Sequence, residues 1–385
     1  MKQESGTDGA GRAALDSPDR GQASFCRRAL CRKARSPDGR TFWPWVAFGS
    51  FVVCLLLCSR CFAAGADGRT IVEEFHFSEK EVHKLESGEI LTRLASGYQQ
   101  SNRKRAIDGM VLIRKPLGEL AAQSKGETTL VPGESILDSH EVFSEGDFAG
   151  VRFGPDEAGE ARAWLNARYG DDLNLGRADL AIIERVKSGR GGRTDTELAS
   201  EAVREVLLHR YRQYLRGGLE AIEPYARGAD EFVSVGEELR ASNATLQPIE
   251  KHFPRYYAAL VEFPVGAGCC EHRFMWLKTM IRSRPTFTLV HRIVLVADEA
   301  VLLTERRFYI SHSLNSLQLT LGWLPWRDGD DTTCLGIATS ANTDYRTGFV
   351  GRVRRAFGGN EGAEMVGGVL SAIRDDLEAA GTYEE

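Results

Sequence analysis

Cysteine is scarce where a folded body would need it. Five of the chain's eight cysteines, Cys26, Cys31, Cys54, Cys58 and Cys61, fall within residues 1–66, leaving Cys269, Cys270 and Cys334 for the rest. Three cysteines cannot build a disulfide framework; they allow one bridge, from Cys334 to either member of the adjacent pair, in an oxidising compartment. The adjacent pair is strained against bonding to itself, and no second cysteine pair completes a zinc site. No Gly-x-Ser-x-Gly elbow is present, which excludes an acyl hydrolase of that kind. There is no His-Glu-x-x-His, and the 8 histidines are too scattered to suggest a metal centre. Gly189–Arg193 (GRGGR) has neither a strand before it nor Gly-Lys-Ser/Thr after it, so it reads as a connector and not as a phosphate loop. Repeats at solenoid periods are absent.

Positive charge is also in short supply. The net charge of −5 hides an asymmetry: residues 1–66 carry 10 Lys/Arg against 5 Asp/Glu, and the remainder 39 against 49. An acidic body lacks the basic footprint that nucleic acid requires, so no nucleic-acid partner is expected. At 385 residues, 42% hydrophobic and 27% charged, the chain has the make-up of one or two ordinary globular domains.

One long apolar run stands out. Phe42–Cys58 (FWPWVAFGSFVVCLLLC) has no charge, follows Arg27, Arg28, Arg32, Lys33, Arg35 and Arg40, and precedes the small-x-small triplet Ala64-Gly65-Ala66. Its length, about 17 residues, is the lower limit for a membrane span. Two readings stay open: a cleaved export signal, or an uncleaved anchor whose positive side stays in the cytoplasm. Both place residues 67–385 outside the cytoplasm, periplasmic or extracellular, and the second makes the membrane a partner. Arg27-Arg28 lies too far upstream for a twin-arginine signal. Leu57 and Arg60 argue against lipid attachment at Cys58 or Cys61.

Beyond the leader, strands at Ile71–Phe77 and Glu89–Ala95 are expected to flank a helix, Glu79–Ser87, opened by a Ser78/Glu81 capping box. Arg105–Arg114 reads as a strand, Pro116 starts a helix over Leu117–Gln123, and Ile136–Phe143 and Phe148–Phe153 read as extended. The middle turns helical: Asp156–Tyr169, Arg177–Lys187, Asp195–Arg216 and Phe232–Ser242. Leu198, Val203, Val206, Leu207, Tyr211, Tyr214 and Leu215 trace one apolar face of the longest helix. Arg204, Arg210, Arg212 and Arg216 read as a solvated face paired with Glu201 and Glu205, in preference to a stripe for lipid headgroups.

The last third is the most informative. Five strands, His272–Ile281, Thr286–Val296, Ala300–His312, Ser316–Leu324 and Thr332–Ser340, run into a long helix over Arg346–Ala380. The fold class is therefore α+β: an antiparallel sheet gripping a long C-terminal helix, with a helical insertion at about 156–253 in a domain of 70–385. If the early strands join the same sheet, Val111 and Ile113 pack beside the meander and the inserted helices lie outside it. Alternation puts Phe287, Leu289, His291, Ile293 and Leu295 on one face. On the next strand it puts Leu302, Phe308, Ile310 and His312 on one face, with Glu305, Arg307, Tyr309 and Ser311 on the other. Apolar walls with a few inward polar groups are the make-up of a small-molecule site. His291 and His312 can orient a ligand oxygen or act as general base, against the plainer reading of imidazoles satisfied by backbone. Phe308 and Trp276 complete the candidate wall, and the Tyr309 hydroxyl is expected to close a structural hydrogen bond. Glu305, Arg306 and Arg307 read as a surface ion cluster.

This order of elements resembles the START-like helix-grip superfamily, which also includes the birch-pollen-allergen-like proteins and the polyketide cyclases. Arg105–Arg114 would be its first strand and Pro116–Gln123 its short helix. The segment from Glu305 to His312 also looks like part of an uncharacterised group of exported bacterial proteins with a Tyr-x-x-His, matched here by Tyr309 and His312. The resemblance implies a hydrophobic cavity for lipid, sterol-like or polyketide-like molecules. Most such domains bind or carry their ligand; a minority catalyse cyclisation or hydrolysis. Three roles follow as expectations: a noncatalytic binder of a hydrophobic small molecule or lipid, an enzyme moving a proton through His312 or His291, or a membrane-tethered interaction protein whose cavity is filled. No cofactor or metal is expected.

Overall fold

The structure, a computed structural model, describes residues 67–96, 98, 104–123, 135–170, 173–227, 231–327, 332–344 and 360–379, all within the unit Phe62–Glu385. Residues 1–66, including the apolar run at 42–58 expected to be an export signal or anchor, lie outside the described residues. Among those described, no helix is long and apolar enough to cross a membrane.

The described chain enters on two short helices, α1 (Gly68–Glu74) and α2 (Glu79–Glu86). α1 replaces the strand expected at Ile71–Phe77. The Asp67 carboxylate accepts from the Thr70 amide, and Ile71 and Val72 are buried on one side, so capping and a buried stripe override β-branched composition. α2 opens on the Ser78–Glu81 capping box that its sequence encodes. Next come β1 (Leu91–Leu94), β2 (Lys104–Ile113), α3 (Leu117–Gln123) and β3 (Ile136–Glu141). The stretch expected to be extended from Phe148 begins inside a 3-10 turn, Glu145–Gly150, because the Asp147 carboxylate accepts from the Phe143 and Ser144 amides and closes the chain on itself.

Helices α4 (Ala158–Leu165), α5 (Arg177–Ser188) and α6 (Asp195–Gly217) follow, then a ribbon of β4 (Tyr225–Ala226) and β5 (Phe232–Val233), then α7 (Val235–Asn243). Two further helices, α8 (Gln247–His252) and α9 (Pro254–Val261), were not foreseen by periodicity. Each carries a proline in its first turn, Pro248 and Pro254, which is the helix-start signal that was there to read. The meander is β6 (Glu271–Ile281), β7 (Arg284–Ala297), β8 (Ala300–Ile310), β9 (Leu314–Pro325) and β10 (Cys334–Asp344), and α10 (Asn360–Ala379) closes the fold. α10 accounts for the second part of the helix expected from Arg346; residues 345–359 lie outside the described residues.

All the long strands join one antiparallel sheet of 8 strands in the order β1-β2-β10-β9-β8-β7-β6-β3. β2 pairs with β10, setting Val111 opposite Gly336 and Ile113 opposite Cys334, so the early strands do extend the meander. One face carries Ile107, Val111, Leu303, Leu319, Leu321 and Trp323 beneath α3 and α10. Gly109 lets α10 sit on bare backbone: a Cβ there would come within 2.6 Å of Val366 and 2.8 Å of Leu370. Gly368 is different, because an added methyl meets nothing within 4 Å. Gly368→Ala is expected to raise stability by about 0.5–1 kcal/mol through helix propensity, seen as a higher urea midpoint; a lower midpoint would contradict this packing.

The other face bears two apolar clusters. α1, α2, α8 and α9 cover Met110, Ile293, Leu302, Leu324 and Ile337 near one end. Helices α4 to α7 cover Trp276, Phe287, Leu289, Phe308 and Tyr309 near the other. Phe308 and Tyr309 share a side although they are sequence neighbours. The register with β7 shifts between Leu289 and Val290, leaving Phe308 as a bulge and reversing the parity beyond it. Strict alternation along 300–312 therefore fails at Phe308, and the strand ends at Ile310.

Candidate functional site

Between the two clusters runs a belt of buried polar side chains. Strand register lines up Asp108, Thr339, Thr320 and Thr304 across β2, β10, β9 and β8, with the half-buried Arg93 of β1 at the edge. A second row lines up His291, Arg306 and Gln318 across β7, β8 and β9. Buried polar groups need partners, and the helices above supply many of them. The Tyr256 hydroxyl of α9 lies 2.7 Å from Thr304 Oγ1, which is 2.8 Å from Thr320 Oγ1. Arg306, wholly buried, donates to Gln318 Oε1 (2.9 Å), Leu260 O (2.8 Å), Asn243 Oδ1 (3.3 Å) and the Tyr214 hydroxyl (3.1 Å).

His291 sits on this row, facing α6 and not α10. Its Nδ1 is 2.8 Å from Tyr214 Oη and its Nε2 is 2.8 Å from His272 Nδ1. Arg306 donates to the Tyr214 hydroxyl, and the direction of the Tyr214–His291 and His291–His272 bonds follows the tautomers of the two imidazoles. Burial, then Arg306 and His272, hold the His291 imidazole well below its usual pKa. Phe274 stacks on the ring at 4.4 Å, and Phe263 lies tilted against it at 4.5 Å. With the ring 0% exposed and both nitrogens hydrogen-bonded, His291 is engaged within the core.

The other sequence candidates are likewise built into the core. His312 lies past the end of β8 and forms a bridge with Leu173. Its Nε2 reaches Pro285 O (3.2 Å) and Thr286 Oγ1 (2.9 Å), and its Nδ1 reaches Ser313 Oγ (2.7 Å), so it fastens a turn. Trp276 donates from Nε1 to Asp147 O at 3.0 Å, anchoring the 3-10 turn. Phe308 stacks on Tyr214 at 4.1 Å. The Tyr309 hydroxyl was expected to find a partner and is among the buried atoms with none; its ring instead lies 5.4 Å from the Arg210 guanidinium. Glu305, Arg306 and Arg307 are not a surface cluster but buried, at 1%, 0% and 2% exposure. Glu305 bonds Arg292 and Arg307 on the α3/α10 face, while Arg306 points the opposite way, as strand alternation requires.

Arg210 of α6 likewise leaves the solvated stripe proposed for it. It is buried against Asp179 of α5, donating to both carboxylate oxygens, and also to Glu223 O. Asp179, His209 and Glu223 bring donor atoms within 4.8 Å of one another, the one such grouping among the described residues. Folding thus gathers a histidine that the sequence left scattered. Asp179 accepts from the Gly176 amide and is balanced by Arg210, and Glu223 Oε1 accepts from the Ala178 amide, so capping of α5 accounts for these oxygens. Glu223 Oε2 and His209 Nε2 lie 3.8 Å apart, both buried and without a hydrogen bond.

Asp108 was missed in the sequence, although a lone acid inside an apolar strand (RAIDGMVLIR) is a signal. Burial raises its carboxyl to about 6, against the Thr339 hydrogen bond and Arg93, which pull it down. It accepts from Thr339 Oγ1 at 3.0 Å.

Space open to a ligand lies along α10. A groove of about 500 Å³ is lined by Ile90, Thr92, Ala363, Glu364 and Gly367. A second, of about 550 Å³, is lined by Leu85, Leu112 and Trp326 together with charges of both signs, Arg114, Arg327 and Arg374 with Glu86, Asp375 and Glu378. No protein-family model, curated protein or solved structure matches this chain.

Proposed function

We propose that residues 67–385 form a noncatalytic binding module, exported or held at a membrane by the run at 42–58, that takes up an elongated amphiphile of lipid-like chemistry along α10. A START-like helix-grip frame, in which the ligand lies between the sheet and the C-terminal helix, is part of this reading. The observation that carries it is periodic. The α10 residues lining the two grooves, Ala363, Glu364, Gly367, Arg374, Asp375 and Glu378, fall within about 120° of the helix circumference at 3.6 residues per turn. Together they mark a strip about 22 Å long. Its first half sets Ala363 and Gly367 beside Ile90 and Thr92 with Glu364 at the rim, and its second half sets three arginines and three acids around Leu112 and Trp326. Apolar burial would supply affinity at about 25 cal/mol per Å², and the mixed charges of the second half, where Arg327 pairs with Glu86 and Arg374 with Asp375, would face the polar headgroup.

Gly367 is the handle for a test. A Cβ there meets Thr92 Cγ2 at 3.6 Å, an ordinary contact, so Gly367→Ala is tolerated. Gly367→Phe would fill the groove. The measurement is uptake of a fluorescent fatty acid from vesicles by the full chain. Wild type and Gly367→Ala are expected to take it up, and Gly367→Phe to lose at least about tenfold in affinity. Arg374→Glu is expected to weaken acidic amphiphiles more than neutral ones. No uptake by the wild type, or equal uptake by a folded Gly367→Phe, would overturn the reading.

A further inference from the structure

Adjacent side chains in an extended strand point to opposite faces, so neighbouring cysteines in a sheet keep their sulfurs apart. Cys269 and Cys270 escape this because they sit at a corner. The 3-10 turn Ala267–Cys269 ends on the first, and β6 begins at Glu271, immediately after the second. The corner turns both thiols the same way: the sulfurs are free and lie 2.9 Å apart, with Cys269 Sγ also donating to Arg255 O at 3.2 Å. Both residues are half-buried. Cys334 is no competitor, since it lies in the cluster beneath α3 and α10, while the pair packs against the cluster on the other face of the sheet. The bridge from Cys334 to this pair, open on sequence grounds, is not formed.

We propose that Cys269 and Cys270 are a reversible redox modification site, closing to a vicinal disulfide when a small-molecule disulfide is the oxidant. The chemistry balances as two exchange steps. The Cys269 thiolate attacks the oxidant disulfide and expels one thiolate, giving a mixed disulfide. The Cys270 thiolate then attacks the Cys269 sulfur and expels the second. The protein loses two protons and two electrons, and the oxidant becomes two thiols. Burial, then Cys269 itself, pushes the Cys270 thiol up, which disfavours Cys270 as the first nucleophile. Consecutive Cα atoms lie about 3.8 Å apart, short of the roughly 4.4–6.8 Å that relaxed disulfides span, so the closed ring is strained and readily reduced. Strained bridges are the labile, responsive ones. The site also sits beside working structure. Closing the ring removes the S–H donor to Arg255 at the start of α9, the helix that holds Tyr256 on Thr304 and offers Leu260 O to Arg306.

The proposal stands apart from the groove along α10 and needs neither its ligand nor a membrane. The test equilibrates the full, folded chain in glutathione buffers of stepped redox ratio, traps free thiols with a maleimide, and maps peptides. Peptide mapping separates this pair from the leader cysteines and from Cys334. The fragment Tyr256–Arg273 is expected to pass from doubly labelled to unlabelled and two hydrogens lighter as the buffer becomes oxidising, and to return on reduction. Cys270→Ser removes the resolving thiol and is expected to trap glutathione on Cys269. Double labelling at every ratio, or glutathione on both sulfurs of the wild type, would overturn the assignment.

Discussion

Arg210→Met is expected to destabilise the protein by about 3–5 kcal/mol, because it strands a carboxylate that cannot reach water. Asp179 is 0% exposed and Arg210 2%, and the pair shares two oxygens and a fork of guanidinium nitrogens. Removing the arginine leaves Asp179 with the Gly176 amide alone among the contacts described above. It also takes a cation away from the rings of Tyr225 and Tyr309, each 5.4 Å from the guanidinium. Asp179→Leu strands the arginine in turn and is expected to cost a similar amount. The double replacement should cost far less than the sum, since two buried charges leave together. What remains is a lost helix cap, worth about 1 kcal/mol, and imperfect packing. Urea midpoints of the four proteins give the cycle directly, with a coupling of at least about 2 kcal/mol expected. Additive losses would mean that the pair does not act as a unit.

How much of this was legible follows from what each residue needed to know about distant ones. Apolar alternation on β7 was readable because every residue from Phe287 to Leu295 obeys one parity. β8 was not, because the bulge at Phe308 changes the count by one, and nothing local in ERRFYISH marks it. The apolar face of α6 was readable from period alone. That Arg210 turns inward depends on Asp179, 31 residues away, and on the Tyr225 and Tyr309 rings, so composition pointed to solvent. The same holds for Glu305, Arg306 and Arg307, whose run of charge looks exposed in one dimension. The sheet gives each side chain of the run a buried partner on one face or the other. His291 was rightly placed on a strand, while His312, expected on one, lies just past its end at Ile310; their ring partners Tyr214, His272 and Thr286 come from other elements or the neighbouring strand. The lining of the groove at Gly367 was not legible for another reason: it is space left where Gly367 has no side chain against Thr92.

The pH profile of stability is expected to carry two opposed signatures from the polar belt, each exposed by removing the other. Asp108 has its native value raised, to about 6 from 3.8, by burial against the pull of Thr339 and Arg93. Between those values the native state keeps a proton that the unfolded chain releases. Stability therefore falls as pH rises through this window, and the full cost, on the order of 2–3 kcal/mol, is present above about pH 6. His291 acts in the other sense. Burial, Arg306 on β8 and His272 on β6 keep it neutral, and the Tyr214 hydroxyl of α6 hydrogen-bonds its Nδ1. Below about pH 6.5 the unfolded chain takes up a proton that the native state excludes, so stability is lost as pH falls, at up to about 1.4 kcal/mol per unit. Where both act, the slopes nearly cancel. Asp108→Asn keeps an acceptor for the Thr339 hydroxyl and is expected to raise stability at pH 7 while steepening the loss below pH 6.5. His291→Gln is expected to flatten that acid loss or turn it into a gain between about pH 6 and 4. Each profile is read as its difference from wild type, from urea midpoints at half-unit steps from pH 4 to 8, so that carboxylates common to both proteins drop out. Parallel profiles for Asp108→Asn and wild type would show that Asp108 ionises in the native state as freely as in water, and the belt would then be far wetter than its burial implies.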